Sequence, residues 1–308
     1  MKIYTLTLNP AYDIHATADG LTLGCENLAD IHVRQAGGKG VNISRALQSH
    51  GVDNTAVIVL GKENSSDFIR DLDTAGLNCL FLEREGRIRE NLTVHCTQSP
   101  ETRISFRGFS VDDSLLAEIL QKLSIDSDTV VTFTGSVPAG ISRGSVRNFL
   151  HALTEQGAKL VLDSKSLTLE DIYALKPWLI KPNQEEISAY FNCWIETVDQ
   201  ALEKAAVFAE HGVANVMVSL GGQGAMLISG GQTCLATPPA VDVVSTIGAG
   251  DSAIAGFIAA ALEGKDAGDC LKSAVTFGTA ACLTEGTLPP LPPATTGIYP
   301  QVQLTRIP

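Results

Sequence analysis

The chain has 308 residues and a formal charge of −12. That length suits one large domain or two modest ones, with a core that needs no metal or disulfide staple. The acidic balance argues against general affinity for nucleic acid or an anionic membrane, yet leaves room for a local basic pocket that takes an anionic small substrate.

The N-terminal MKIYTLTLNPAYDIH alternates like a strand and lacks the apolar core of a signal peptide. Strands are predicted at 3–8, 56–60, 130–134, 159–162, 178–180 and 215–220, several of them the unbroken apolar runs of buried parallel strands. Helices are predicted at 41–50, 65–74, 112–123, 142–156 and 198–211, with HG, AG, QG and HG stops near their ends. This alternation implies a mostly parallel sheet covered on both faces. Residues 12–34 and 88–108 break the pattern: alternating and polar-flecked, they predict antiparallel strands projecting as a small lid, with an apolar face that a second subunit would cover. The Pro- and Thr-rich last twenty residues carry only a weak structural pattern and read as a tail. The longest apolar helical run, 253–262, is too short to cross a bilayer, so a cytoplasmic protein with no membrane partner is expected. Seven scattered cysteines without a CxxC predict reduced, mostly buried thiols, and six histidines without HExxH spacing predict no zinc site.

Several short stretches carry chemistry. Asp13 stands just past the first strand, where a carboxylate can hold adjacent hydroxyls or simply serve a turn. In AGGKGVN (36–42), Gly38 permits close backbone approach, Lys39 can meet a phosphate and Asn42 can bond hydroxyls; a tight turn with a solvated lysine is the plain alternative. Among Arg87, Arg89, Arg103 and Arg107, strand alternation pairs 87 with 89 and 103 with 107, and favours Arg89 and Arg103 as a phosphate clamp. Ser136 in TGSVPAG can donate to a phosphate or a sugar oxygen. In KPNQEE, Asn183 and Glu186 can organise Mg²⁺ through its waters, or make a helix cap. SLGGQGAM leads from a strand to a turn that can seat a nucleotide, or forms a Gly-rich hairpin.

The stretch STIGAGDS (245–252) places Gly248 and Gly250 before a long apolar helix. Their amides and the helix N-terminus make an anion cavity, and Asp251 can accept a proton from an attacking hydroxyl. The helix end is expected to lower the Asp251 pKa, making it a weak base.

Together TLTLNPAYD, AGGKGVN, GSVPAG, PWLIKPNQEE, VSLGGQGA and VDVVSTIGAGDS make the chain resemble the ribokinase/PfkB family of carbohydrate kinases, within its bacterial 1-phosphofructokinase and tagatose-6-phosphate kinase group. The resemblance spans nearly the whole chain. It implies a doubly wound, Rossmann-like α/β layer as a single domain over 1–308 with a small β-sheet lid, ATP as donor, Mg²⁺ as helper, and a homodimer paired through the lids. It implies Asp251 as base and Gly248, Ala249 and Gly250 as anion hole. By the same resemblance Asp13, Gly38 and Asn42 contact the sugar, and Lys39, Arg89, Arg103 and Ser136 lie near its existing phosphate. Asn183 and Glu186 fall near Mg²⁺, and Ser219, Gly221 and Gly224 line the adenosine-phosphate side. Ser245 stands where the wider family pattern often has Asp. The activity implied is ATP-dependent phosphorylation of D-fructose 1-phosphate at its 6-hydroxyl. Tagatose 6-phosphate or fructose 6-phosphate is the alternative acceptor, and a non-catalytic sugar-phosphate sensor the more distant one.

Overall fold

The computed structural model describes residues 1–96 and 101–307. The chain opens with β1 (Lys2–Thr7), β2 (Ala11–Ala18), β3 (Asp30–Gly37), α1 (Lys39–Gln48), β4 (Thr55–Gly61) and α2 (Ser65–Thr74). Next come β5 (Cys79–Arg84), β6 (Arg89–Cys96), β7 (Thr102–Ser105), α3 (Ser114–Lys122), β8 (Thr129–Thr134), α4 (Arg143–Glu155), β9 (Lys159–Asp163) and α5 (Leu169–Leu175). The rest comprises β10 (Leu179–Ile180), α6 (Gln184–Phe191), α7 (Val198–Glu210), β11 (Asn215–Ser219), β12 (Ala225–Ser229), β13 (Gln232–Thr237), α8 (Ala249–Leu262), α9 (Ala267–Ala281), α10 (Pro292–Ile298) and β14 (Gln303–Ile307).

Ten strands form the main sheet, in the order β14-β13-β12-β11-β10-β9-β8-β1-β4-β5. From β11 to β5 every neighbour is parallel, and β12 to β14 add antiparallel strands at one edge. The chain steps one way through β1, β4 and β5, then the other way from β8 onward. The strand order therefore reverses between β1 and β8, and the crevice beyond their carboxyl ends is where open α/β sheets take ligands. Val57, Val59, Val131 and Val216 are fully buried, as central parallel strands require. One face is covered by α1, α8 and α9 through Ile43, Leu47, Ile254, Phe257 and Leu271. Helices α3, α4 and α7 cover the other through Leu116, Ile119, Phe149, Leu150 and Phe208. Helix α8 lies tight on α9 because Gly256 has no side chain: a Cβ there would stand 2.6 Å from the Ser273 carbonyl.

The expected doubly wound layer is present, and four local expectations are corrected. The small sheet runs β3-β2-β6-β7, but β2 and β6 pair in parallel rather than antiparallel, since the chain returns to β2 only after β4, α2 and β5. Residues 97–100 of the expected 88–108 stretch lie outside the described residues. The presumed tail instead forms α10 and β14, the latter completing the main sheet against β13. Arg87 precedes β6 in a bridge to Lys62, and Arg107 follows β7, so the expected strand faces for these two do not form. Among the cysteines, all free, only Cys234 and Cys270 are buried, while Cys25 is exposed.

Tyr12 and Ile14 of the small sheet pack with Phe68 and Leu72 of α2, so much of its apolar face is already covered within the chain. Tyr12 meets Phe68 edge-on at 5.4 Å. The opposite, polar face carries Asp13 and His15 on β2, with Asn91 and Thr93 opposite them on β6. Among the described residues no helix is long and apolar enough to cross a membrane.

Candidate active site

Two helices start at the reversal of strand order. Helix α1 begins at Gly38, where φ is +125° and a Cβ would stand 2.7 Å from the Thr7 methyl, so the close turn admits only glycine. Helix α8 begins at Gly248, with φ +82° and no side-chain cap, leaving its first amides to face the crevice. Asp251 lies in the first turn of α8, only 6% exposed. The Asn42 amide of α1 donates to its Oδ2 at 2.8 Å.

Asp251 does not titrate as its place on the helix alone suggests. Its pKa is pushed up to about 6, chiefly by burial and further by the nearby Asp163, against the pull of Lys39, Asn42 and Lys181. The expected weak base is corrected: loss of water outweighs the helix end, and the carboxylate is a stronger base, poised near neutral pH.

Two further residues escaped the sequence reading. Asp163, at the carboxyl end of β9, holds two ammonium groups at once: Lys39 at 2.9 Å and Lys181 at 3.4 Å. Although burial opposes it, these cations hold the Asp163 carboxyl below its usual range. Lys39 is itself held above its ordinary value, because Asp163 and Asp251 overcome the burial that pulls it down. The Lys181 ammonium lies directly beneath the α8 turn, 3.0 Å from where a Gly250 Cβ would stand. The one signal that could have found them is that each stands at a parallel strand's carboxyl end.

A second group of candidates centres on Asp13. The Asn91 amide donates to Asp13 Oδ1 at 2.9 Å, and an Arg103 guanidinium nitrogen lies 3.7 Å from the same oxygen. Gly37 makes room for this carboxylate, since a Cβ there would overlap Asp13 Oδ2 at 2.1 Å. Arg89 reaches the Asn9 and Phe106 carbonyls at 3.4 and 3.5 Å, while its buried Nε has no partner among the described residues. Burial, and secondarily Arg103, pull the Arg89 pKa down against Asp13. The Asn9 amide donates to Ser136 Oγ at 3.0 Å, bringing the exposed Ser136 to the same wall. The structure thus separates Lys39 from the arginines: it pairs with Asp163 and faces Asp251, whereas Arg89 and Arg103 face Asp13.

On the third side, Asn183 caps α6 in a reciprocal box. Its Oδ1 accepts from the Glu186 amide at 2.7 Å, and Glu186 Oε2 accepts from the Asn183 amide at 3.1 Å. The box engages only one Glu186 oxygen. A cavity of about 20 Å³, room for a single water, adjoins Glu186, Asp163 and Lys181. That space is too small for an ion with its waters, but an open cavity of about 370 Å³ adjoins Glu185 and Glu186 on the other side, with room for Mg²⁺, which keeps most of its waters. Asn183 bridges to Ser219, and a 3-10 turn at Gly221–Gln223 leads to Gly224. Nothing lies within 4 Å of a Cβ position at Gly221 or Gly222, so this backbone faces open space that a nucleotide can approach. Gly224 (φ +96°) is pressed against the Ala236 carbonyl, which fixes the turn.

Known proteins resemble this chain in sequence and in fold. The model of the pfkB family of carbohydrate kinases matches residues 7–294. The chain is 32% identical over 259 residues to the 1-phosphofructokinase of Escherichia coli strain K12, covering 83% of each. Over 284 residues it is 30% identical to the 1-phosphofructokinase of Bacillus subtilis strain 168, covering 92% of this chain and 93% of that one. Phosphofructokinase-2 from Escherichia coli, solved with substrates and products, superposes with a TM-score of 0.90 at 28% identity, over 98% of this chain and 99% of that one. Such kinases transfer a phosphoryl group from ATP to a sugar hydroxyl, and the chain belongs to the pfkB family of carbohydrate kinases.

Proposed function

We propose that this kinase phosphorylates D-fructose 1-phosphate at its 6-hydroxyl, giving fructose 1,6-bisphosphate. The observation that carries the chemistry is the buried Asp251, its pKa near 6, bonded to Asn42 at the open N-terminus of α8. A carboxylate of that basicity accepts the hydroxyl proton as the oxygen attacks phosphorus. The amides of Gly248, Ala249 and Gly250 stabilise the phosphoryl group in flight, with the Lys181 and Lys39 ammonium groups beside them.

Arg89 and Arg103 hold the phosphate already on the substrate, assisted by Ser136, while Asp13, Asn42 and the Gly38 backbone hold sugar hydroxyls. This revises the sequence expectation for Lys39, which serves the moving phosphoryl group rather than the resident one. Binding the remote phosphate orients the reacting hydroxyl. The small sheet acts as a lid of a single domain that keeps water from the donor. Ser219, Gly221 and Gly224 seat the nucleotide. Glu186 and Asn183 hold the waters of Mg²⁺, an ion that supplies charge neutralisation of the donor phosphates. The choice of fructose 1-phosphate draws support from curated relatives named 1-phosphofructokinase at about 30% identity. Ile31 is 64% exposed and Ile104 45% on the small sheet, which supports a homodimer formed there. The reaction's substrates suit a cytoplasmic enzyme.

The experiment is ADP release with fructose 1-phosphate, fructose 6-phosphate, tagatose 6-phosphate and neutral fructose side by side. Fructose 1-phosphate is expected to show the highest kcat/KM, with neutral fructose far behind. A better second or third sugar overturns the substrate choice, and sugar-phosphate binding without ADP release overturns the enzymatic reading.

A further inference from the structure

A buried contact ties the small sheet to the turn that supports the anion hole. Gln35 on β3 is 8% exposed, and its Nε2 donates to Thr287 Oγ1 at 2.5 Å across 252 residues of sequence. Thr287 is 3% exposed, in the turn after α9. Its Cα, Cβ and methyl stand 3.6–3.8 Å from the Cβ position of Gly248, the residue that opens α8. The turn fits closely under the sheet. A Cβ on Gly286 (φ +60°) would come within 2.9 Å of Gln35 Nε2 and 3.3 Å of His15 Nε2. The same strand carries the other end of the linkage: Gly37, two residues beyond Gln35, lies against Asp13. One continuous path therefore runs from Asp13 through Gly37, Gln35 and Thr287 to Gly248.

We propose that Gln35 and Thr287 are positioning residues that couple seating of the sugar phosphate under the small sheet to the geometry of the phosphoryl-binding turn. The inference rests on the proposed roles of Asp13 and Gly248. With substrate held on the small sheet, the hydrogen bond fixes β3 against Thr287, and Thr287 fixes the backbone at Gly248. The α8 amides are then aligned only when the sheet is down over the acceptor hydroxyl. A burial-driven packing contact would need no hydrogen bond here. The donor amide and hydroxyl are both removed from water, so each requires the other.

The test uses Thr287→Val, which keeps the methyl against Gly248 but removes the hydroxyl, and Gln35→Met, which keeps bulk but removes the amide. Each is assayed with the sugar phosphate that the wild-type chain phosphorylates best, whichever it is, so failure of the substrate assignment leaves this test standing. Each variant is expected to lower kcat about tenfold, the size of one buried hydrogen bond used in the transition state. The KM for ATP is expected to stay within about twofold. ATP hydrolysis in the absence of sugar is expected to rise relative to transfer. The double variant is expected to be no worse than either single one. Gln35→Glu reverses the bond, its carboxylate accepting from the Thr287 hydroxyl, and is expected to keep kcat within about threefold, but to give no such recovery in the Thr287→Val background. Thermal melting separates misfolding from misalignment; Thr287→Ser, which retains the hydroxyl, is expected to keep kcat near wild type, and Gln35→Met carries the test if Thr287→Val is unstable. Wild-type kcat in both single variants overturns the proposal. So do multiplicative losses in the double variant, or equal loss in Gln35→Glu and Gln35→Met.

Discussion

The carboxyl edge of the main sheet and the polar face of the small sheet hold their charges in opposite ways. At the edge, Asp251, Asp163 and Lys181 are buried and bonded to one another's neighbours before any substrate arrives. On the small sheet, the Arg103 side chain is 45% exposed and stands 3.7 Å from Asp13, and Arg89 Nε has no partner among the described residues. The first region is prepared in advance, which is what stabilising a transition-state charge demands. The second leaves donors unspent, which is what gripping an arriving phosphate demands. Substitutions at the edge should therefore alter turnover and stability together, whereas loss of the small sheet's arginines should strike substrate affinity alone.

The largest effect is expected at Asp251. Asp251→Asn should lower kcat by about 10³-fold or more, through loss of the base. It should also stabilise the fold. The folded pKa lies above the usual 3.8, so the carboxylate form costs stability, fully above about pH 6 and not at all below 3.8. Urea unfolding should show a gain approaching about 3 kcal/mol at pH 8 that vanishes near pH 4. A variant that is less stable than wild type at pH 8 breaks the burial argument.

Asp163→Asn comes next, because it leaves two ammonium groups without their shared counter-ion. Loss of about 3 kcal/mol is expected by urea titration at pH 7.5. The Asp163 pKa is depressed, so its contribution is present above 3.8 and lost as pH falls through the lower folded value. The gap between variant and wild type should close on acidification; a gap that persists contradicts the ion-pair origin.

The small sheet should respond differently. Arg103→Ala and Arg89→Ala are expected to raise KM for the sugar phosphate about 10- to 100-fold with little change in Tm, since Arg103 is half-exposed and its pair with Asp13 is screened. A fall in kcat at unchanged KM would erase the contrast between the regions. The smallest effect is at the Asn183 cap: Asn183→Ala should cost about 1 kcal/mol through the broken box, read by thermal melting.

The same contrast explains what the sequence made legible. β1, β4, β8 and β11 announce themselves as apolar runs, and α4 and α7 by their period and Gly stops, because local pattern and burial agree there. The parallel pairing of β2 with β6 joins residues 78 apart, as Asp13 and Asn91 are, and no local pattern reports it. β14 was hidden by the Pro- and Thr-rich stretch before it, and its own apolar residues, Leu304 and Ile307, are three apart and show no strand alternation. In the site, the glycine clusters drew attention to Gly38 and Gly248, whose positive φ values justify it. The basicity of Asp251 was misread because position on a helix is visible in sequence and burial by α1, β9 and β10 residues is not. Asp163 and Lys181 were missed for the same reason: each looks like an ordinary charge until the strands align.

The most direct measurement is the pH profile of kcat/KM for the preferred sugar phosphate between pH 5 and 9, in the wild type and in Asp251→Asn. A buried base with a pKa of about 6 predicts a wild-type profile that is level above neutrality and falls about tenfold per pH unit below about 6, with the limb absent from a variant of greatly reduced activity. A profile that stays level down to pH 5, or an Asp251→Asn enzyme within tenfold of wild type, contradicts it.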